Sequence, residues 1–193
     1  MSARTSTKPE RRVDLSVPDS SNLDRACPLW KEVLWYLIGS RIVESRLLPV
    51  SAIKVRTLRL FGAQIGGNVY LKPGIRIKFP WKLRIGDYSW IGEDAWIDNL
   101  DWVTIGAHCC VSQGSYFCTG NHDWSARNMK LFTRPIEMGD GSWVGAKSIV
   151  CPGVTIAQGA IAQAGSVVTK SIGPDEIHGG NPAQFYKRRR VRG

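Results

Sequence analysis

From Met138 to Lys170 an aliphatic residue or Met recurs at every sixth position: Met138, Val144, Val150, Ile156, Ala162 and Val168. The residue after each is often Gly or small, and the fifth position holds Ser142, Ser148, Val154, Ala160 and Ser166. A period of six matches neither an α-helix nor a simple strand, whose side chains repeat every 3.6 and 2 residues. It matches a coil of three short flat faces. Each face points one apolar side chain inward and turns at a tight corner that favours Gly. Stacked coils then pair every short strand with the strands above and below it, about 4.8 Å away. This is the hexapeptide signature of a parallel β-helix.

The same frame begins at Ile65. Its inward positions are Ile65, Leu71, Ile77, Ile85, Ile91, Ile97, Ile105, Val111 and Phe117, then Met138 onward. All fifteen are apolar. Two residues are inserted between 77 and 85 and two more between 97 and 105, which predicts corner bulges, one of them containing Phe79-Pro80-Trp81. At about 18 residues per turn the chain makes about five coils. Between Phe117 and Met138 the period fails, so residues 121–135 must leave the coil as a loop. Long loops inside a regular stack usually carry function.

Before the repeat, Trp30, Val33, Leu34, Leu37 and Ile38 follow the spacing of one helix face. A helix is predicted over 29–48, stopped by Pro49, and a second over 51–61, ended by Gly62. The apolar face suits either a cap on the first coil or on a neighbouring subunit, or a peripheral membrane anchor, since Trp, Tyr and Leu alternate with Lys and Arg. The chain divides into a flexible segment over 1–27, a helical cap over 28–62, the β-helix over 63–172, and a C-terminal segment over 173–193 ending in a frayed basic tail.

Composition changes this picture in three places. No run of 18 apolar residues exists among the 193, so no membrane span is expected, and residues 1–8 lack the apolar stretch of a signal peptide. Five cysteines without a CxxC spacing argue against a disulfide framework or a zinc site and for a reducing cytoplasm. The net charge of +10 is carried by the ends. Residues 1–60 hold eleven basic and six acidic side chains, residues 187–193 five basic and none acidic, and residues 61–186 ten of each. A neutral body argues against nucleic acid as a partner, and the basic ends suit phosphates or anionic lipid.

Several stretches together resemble the hexapeptide acyltransferases. They are Cys118-Thr-Gly-Asn-His-Asp123, Gly-x-x-Trp143-Val-Gly, Pro152-Gly-Val-Thr-Ile, Gly165-Ser-Val-Val-Thr-Lys170 and Gly180-Asn-Pro-Ala183. The similarity covers about residues 61–187. Tyr88–Asn99, Val111–His122 and the Trp-rich helix narrow it to the acetyltransferases of colanic-acid-type exopolysaccharide synthesis. The resemblance implies a left-handed β-helix, against the usual right-handed crossover. It also implies a homotrimer with active sites between subunits and acetyl-CoA as co-substrate, without a metal. It makes His122 the general base. It assigns Trp143, Gly145 and Ala146 to the pantetheine channel. Ala164, Gly165, Thr169 and Lys170 would meet the pantetheine arm or phosphates, and Lys187 the nucleotide end. Two departures, Gln184 in place of Arg and Ala162-Gln163 in place of Ile-Gly, imply phosphate contacts that are either weaker or shifted towards Arg188–Arg190.

Acyl transfer to a hydroxyl needs a base, and an imidazole with an ordinary pKa of about 6.5 suits that task at neutral pH. His108 falls at an outward corner and His178 past the coil, so both read as surface or structural residues. The three histidines are 14 and 56 residues apart, which does not suit a metal-hydrating site on this fold. Counting the inserted pair, Asp98 comes into register with Cys118. Asp98, Asn99 and Asn121 are therefore candidate acceptor-binding residues, Asp98 equally a corner residue bonded to backbone. Cys118 as a thiol nucleophile is the weaker competitor, because its slot favours small packing residues. The oxyanion donor is expected to be a backbone amide near Gly145. The reading is an O-acetyltransferase acting on a saccharide of a surface-polysaccharide precursor. Its alternatives are an acetyltransferase for a serine-type or antibiotic-type acceptor and a non-catalytic scaffold.

Overall fold

The computed structural model describes residues 13–17 and 23–191. The repeat winds as a left-handed parallel β-helix. Its first coil holds β1 (Gln64–Ile65), β2 (Tyr70–Leu71) and β3 (Arg76–Ile77). The second holds β4 (Leu83–Ile85), β5 (Trp90–Ile91) and β6 (Trp96–Asp98), and the third β7 (Val103–Ile105), β8 (Cys110–Val111) and β9 (Tyr116–Cys118). An arm, β10 (Gly120–His122) and β11 (Leu131–Thr133), then leaves the stack. The fourth coil follows with β12 (Ile136–Met138), β13 (Trp143–Val144) and β14 (Ile149–Val150), and the fifth with β15 (Thr155–Ile156), β16 (Ile161–Ala162) and β17 (Val167–Val168). A partial sixth turn closes the stack: Ile172 bridges to Ile156, and β18 (Glu176–Gly180) pairs with β16 and, antiparallel, with β19 (Ala183–Arg188).

Three sheets result, parallel throughout except at β19, ordered β1-β4-β7-β12-β15, β2-β5-β8-β13-β16-β18-β19 and β3-β6-β9-β14-β17. Pairing is in register from coil to coil, for example Ile77 with Ile97, Ile97 with Phe117 and Phe117 with Val150. All fifteen inward positions are buried and form one continuous core. The corners explain the remaining slots. The fourth residue of each regular hexad corner takes a left-handed conformation, supplied by Gly at Gly165 (φ 73°) and by His108 (φ 55°) where Gly is absent. The second slot lies against the next coil, where a Cβ on Gly145 would sit 2.4 Å from the Ala164 amide nitrogen. Buried serines at the fifth slot satisfy themselves on corner carbonyls, as Ser115 Oγ does on Ser112 and Gly145.

The corner between the third and first sheets is the variable one. In the first coil it makes a turn over Pro80–Lys82, in the second a shorter bulge, and in the third it opens into the arm. Asn99 stitches the first bulge. Its amide nitrogen donates to the carbonyls of Phe79 and Lys82, and its oxygen accepts from the Phe79 N–H. The segment expected to be a loop over 121–135 is thus a two-stranded arm, with His122 opposite Leu131.

The cap differs from expectation in length, and its apolar stripe does not take the coil-packing alternative. The first helix runs from α1 (Leu29–Leu34) through one wider π turn (Trp35–Gly39) into α2 (Ser40–Glu44) and stops there, four residues short of 48. Lys54, on α3 (Ser51–Leu60), ends it by donating from Nζ to the carbonyls of Val43 and Ser45. The side turned to the coil is Glu32, Trp35, Gly39 and Val43. Gly39 permits this: a Cβ there would meet the Trp35 ring at 2.3 Å and the Phe61 ring at 2.9 Å. The stripe Trp30, Val33, Leu34, Leu37 and Ile38 faces away and is exposed.

Part of the segment expected to be flexible is anchored. The Asp14 N–H donates to the Arg127 carbonyl, Arg25 pairs with Glu32, and Trp81 Nε1 donates to the Arg25 carbonyl. Residues 1–12 and 18–22 lie outside the described residues. The basic tail is held too, since Arg189 Nη1 donates to the carbonyls of Gly141 and Gly159; residues 192–193 lie outside the described residues.

Candidate active site

His122 sits at the end of β10, on the arm where the repeat opens. Two main-chain contacts fix it. Its N–H donates to Asn121 Oδ1 at 2.8 Å, and its ring Nδ1 lies 2.6 Å from the Met129 carbonyl. A carbonyl only accepts, so Nδ1 carries the hydrogen and the lone pair is left on Nε2. The ring lines an open cleft of about 460 Å³ with Asn121, Asp123, Trp124, Lys130, Leu131, Phe132 and Arg134. The Asp123 carboxylate turns to Ser125, whose hydroxyl and N–H hold its pKa below the usual carboxylate range.

Asp98 and Cys118 are in register on β6 and β9, as the inserted pair implies. Tyr116 donates its hydroxyl to Asp98 Oδ2 at 3.1 Å, and burial first, then Cys118 and Asp98, push the phenol pKa well up. Lys78 Nζ lies 3.3 Å from Asp98 Oδ1 without the alignment of a hydrogen bond. Cys118 Sγ donates to the Gly120 carbonyl, a structural contact. Asn99 is fully buried and its amide is spent on the bulge, so packing, not the acceptor, accounts for it. Asn121 is exposed beside His122, its side chain engaged with the His122 amide.

A second site lies on another face. Trp143, Gly145, Ala146 and Ala164 line a groove of about 590 Å³ with Ser112, Gln113, Ile161, Ala162, Gln163, Ile177 and Lys187. Through Trp143, Ile161, Ile177 and Lys187 it continues into a space of about 960 Å³ walled by Arg188, Arg189, Arg190 and Val191. One end is largely apolar, the other basic. Trp143 is oriented by its Nε1–H, which donates to Ser112 Oγ at 2.8 Å. Gly165, Thr169 and Lys170 do not line this groove within one chain. The Gly145 N–H is spent on the Ala162 carbonyl, so it is not a free oxyanion donor. Ser112, Gln113, Ile161 and Ile177 were not anticipated. They occupy outward positions on the strands and corners beside Trp143, which the register alone would have identified.

The other two histidines are structural. His108 stacks on Tyr88, with ring centroids 5.0 Å apart, and His178 pairs with Glu176 and packs edge-on to Phe185. Among the described residues, no group of three or more His, Cys, Asp or Glu is placed to hold a metal.

A hexapeptide β-helix with a histidine arm and a long groove ending in basic residues defines a class of enzyme, the acyltransferases of this fold. Comparison with known proteins agrees. No family model matches the chain. The Escherichia coli K12 protein named colanic acid biosynthesis acetyltransferase WcaF is 39% identical over 159 residues, 82% of this chain and 87% of that one. A hexapeptide-repeat acetyltransferase of Vibrio cholerae superposes with a TM-score of 0.74 at 25% identity, over 84% of this chain and 94% of that one, and a further structure of that protein holds acetyl coenzyme A. A maltose O-acetyltransferase of Clostridium difficile superposes with a TM-score of 0.71 at 26% identity, over 84% and 89% of the two chains. The chain belongs to the hexapeptide-repeat acetyltransferases, and it is an acyltransferase.

Proposed function

We propose that this chain transfers acetyl from acetyl-CoA to a hydroxyl of a saccharide, in the making of an exopolysaccharide precursor, with His122 as general base. The observation that carries the reading is the Nδ1 contact to the Met129 carbonyl. It leaves Nε2 as the proton acceptor in a solvent-open cleft. The acceptor hydroxyl loses its proton to Nε2 as its oxygen attacks the thioester carbon. The C–S bond breaks, and the proton on Nε2 passes to the departing sulfur. No covalent enzyme intermediate is needed, because holding both substrates together supplies much of the rate. The groove along Trp143, Ala146 and Ala164 suits the slender pantetheine arm, and Lys187 to Arg190 suit the phosphates.

The base and the groove share no lining residue and belong to different faces of one prism. That separation supports a homotrimer in which the arm of one copy meets the groove of the next. In that setting Gly165, Thr169 and Lys170 belong to the donor's surroundings, and Asp98 and Asn121 to the acceptor's. Sedimentation of a stable, fully active monomer would contradict the trimer. The direct test of function is release of the CoA thiol against a panel of sugars and sugar nucleotides. His122→Ala should abolish most of it while the fold survives.

The exposed stripe on the first helix supports a location at the inner membrane face. Trp30, Val33, Leu34, Leu37 and Ile38 stand out from the fold, and the first sixty residues carry a net +5 that anionic lipid attracts. No helix among the described residues is long and apolar enough to cross a membrane. The five free thiols suit the reducing cytoplasmic side. Co-sedimentation of the full chain with anionic vesicles at low salt tests this. Trp30→Ser with Leu37→Ser should release it, and full-length protein left in the supernatant would sink the idea.

A further inference from the structure

We propose that the acceptor is an anionic saccharide, one carrying a phosphate or carboxylate near the hydroxyl that is acetylated, and that Lys130 and Arg134 select it. The inference rests on the acetyl-transfer reading. Both side chains line the cleft that contains His122. Among the described residues neither lies within ion-pair distance of a carboxylate, whereas Arg127 on the same arm is paired with Asp14. The one acid in the cleft, Asp123, is turned to Ser125. The Arg134 guanidinium lies 5.6 Å from the centre of the Phe132 ring, which leaves its N–H groups free for an anion.

The donor does not account for these two cations. Its thioester carbon must come to Nε2, and the pantetheine arm then keeps the CoA phosphates a long way from the cleft. The chain also offers those phosphates a separate basic stretch, Lys187 to Arg190, at the far end of the groove. Two unpaired cations beside the base therefore face the acceptor. A bidentate guanidinium and a flexible ammonium suit either a sugar phosphate or a uronate. The body of the protein, these two cations included, is neutral, so the charge is local and not a general field.

Both residues hold the arm through their main chains, which makes the side chains separable from the fold. The Lys130 carbonyl accepts from the Asp123 N–H, and the Arg134 N–H donates to the Thr119 carbonyl. The test uses the full chain and its Lys130→Gln/Arg134→Gln variant. Thiol release is measured with neutral, 1-phosphate and uronate forms of the same hexoses. The wild type should favour at least one anionic form over the neutral one by about tenfold or more in kcat/KM. The variant should bring that ratio close to one and leave the KM for acetyl-CoA unchanged. Preference for phosphate or for uronate names the source of the anion. A wild-type ratio near one, or a ratio unmoved in a folded variant, overturns the inference and leaves the acetyl-transfer reading standing. If no sugar is acetylated, that reading falls instead. Equilibrium titration with hexose 1-phosphate, hexuronate and neutral hexose then decides the inference: tighter anion binding lost in the variant supports it, and equal binding overturns it.

Discussion

In the proposed reading the arm and the groove hold the two halves of one reaction, and they are built in opposite ways. The groove is made by the repeat itself. Trp143, Ile161 and Ile177 are outward neighbours on three paired strands, with coil spacing setting their separation. The inward neighbours of Trp143 and Ile161, Val144 and Ala162, are buried, and all three strands are paired on both sides. The arm is made where the repeat stops. Its two strands pair only with each other, and His122, Asp123, Trp124 and Lys130 are all exposed. The difference suits the two tasks proposed for them. A long, extended donor is matched by a surface with a fixed repeat, while a base and an acceptor pocket need a shape the repeat cannot supply.

The largest effect should come from the arm. His122→Ala should lower kcat by about 10²–10⁴-fold while thermal stability stays at the wild-type value. A folded variant turning over near the wild-type rate would remove His122 from the mechanism. Phe117 makes the opposite case, since it is fully buried in the coil directly before the arm. Phe117→Ala should cost about 3–5 kcal/mol of stability. A melting temperature within a degree or two of wild type would mean that the coil, too, tolerates interruption.

A smaller effect should appear at the basic end of the groove. Lys187→Gln with Arg190→Gln should raise the KM for acetyl-CoA by about tenfold, the loss expected for charge-assisted phosphate contacts, with kcat held. A fall in kcat with KM unchanged would move these residues out of ground-state donor binding.

The same contrast decides what was legible in the sequence. Each hexad slot has one physical demand, an inward apolar residue, a close approach or a left-handed corner, so the fifteen core positions followed from identity alone. The groove was legible in outline for the same reason, with Trp143, Gly145, Ala146, Ala164 and Lys187 brought together. The arm was legible only as an absence of period. Nothing in 121–135 announces that Gly120–His122 pairs with Leu131–Thr133, because neither strand buries a continuous face against the core. Lys130 and Arg134 were missed with it. The cap left its alternatives open for a different reason. Its most regular apolar stripe faces outward, and the coil takes a narrower side whose mark is Gly39, four residues from both Trp35 and Val43. Asn99 was misassigned because a polar residue at a corner can serve backbone or ligand equally, and the inserted bulge claims it.

The smallest effect is expected from acid, and it reaches both regions. Asp123 in the arm has its pKa lowered by Ser125, through the hydroxyl and then the amide. Glu176, beside the groove in β18, has its own lowered by its hydrogen bond from His178 above all. A carboxylate whose folded pKa is depressed adds stability above its unfolded pKa, and that stability is lost as pH falls through the folded value. The unfolded values are 3.8 for Asp123 and 4.5 for Glu176. Both contributions are therefore complete at neutral pH and fade only below about pH 4.5. Asp123 is exposed and Glu176 is partly so, and the loss should be slight and local. Hydrogen exchange read between pH 6 and pH 3 should show the Ser125 amide and the β18–β19 pairing loosening at the acid end. Asp123→Asn should remove the pH dependence in the arm alone, and Glu176→Gln in the C-terminal hairpin alone. If either substitution flattened both profiles, the arm and the groove would be coupled through the coil, and their separate construction would not be the right description.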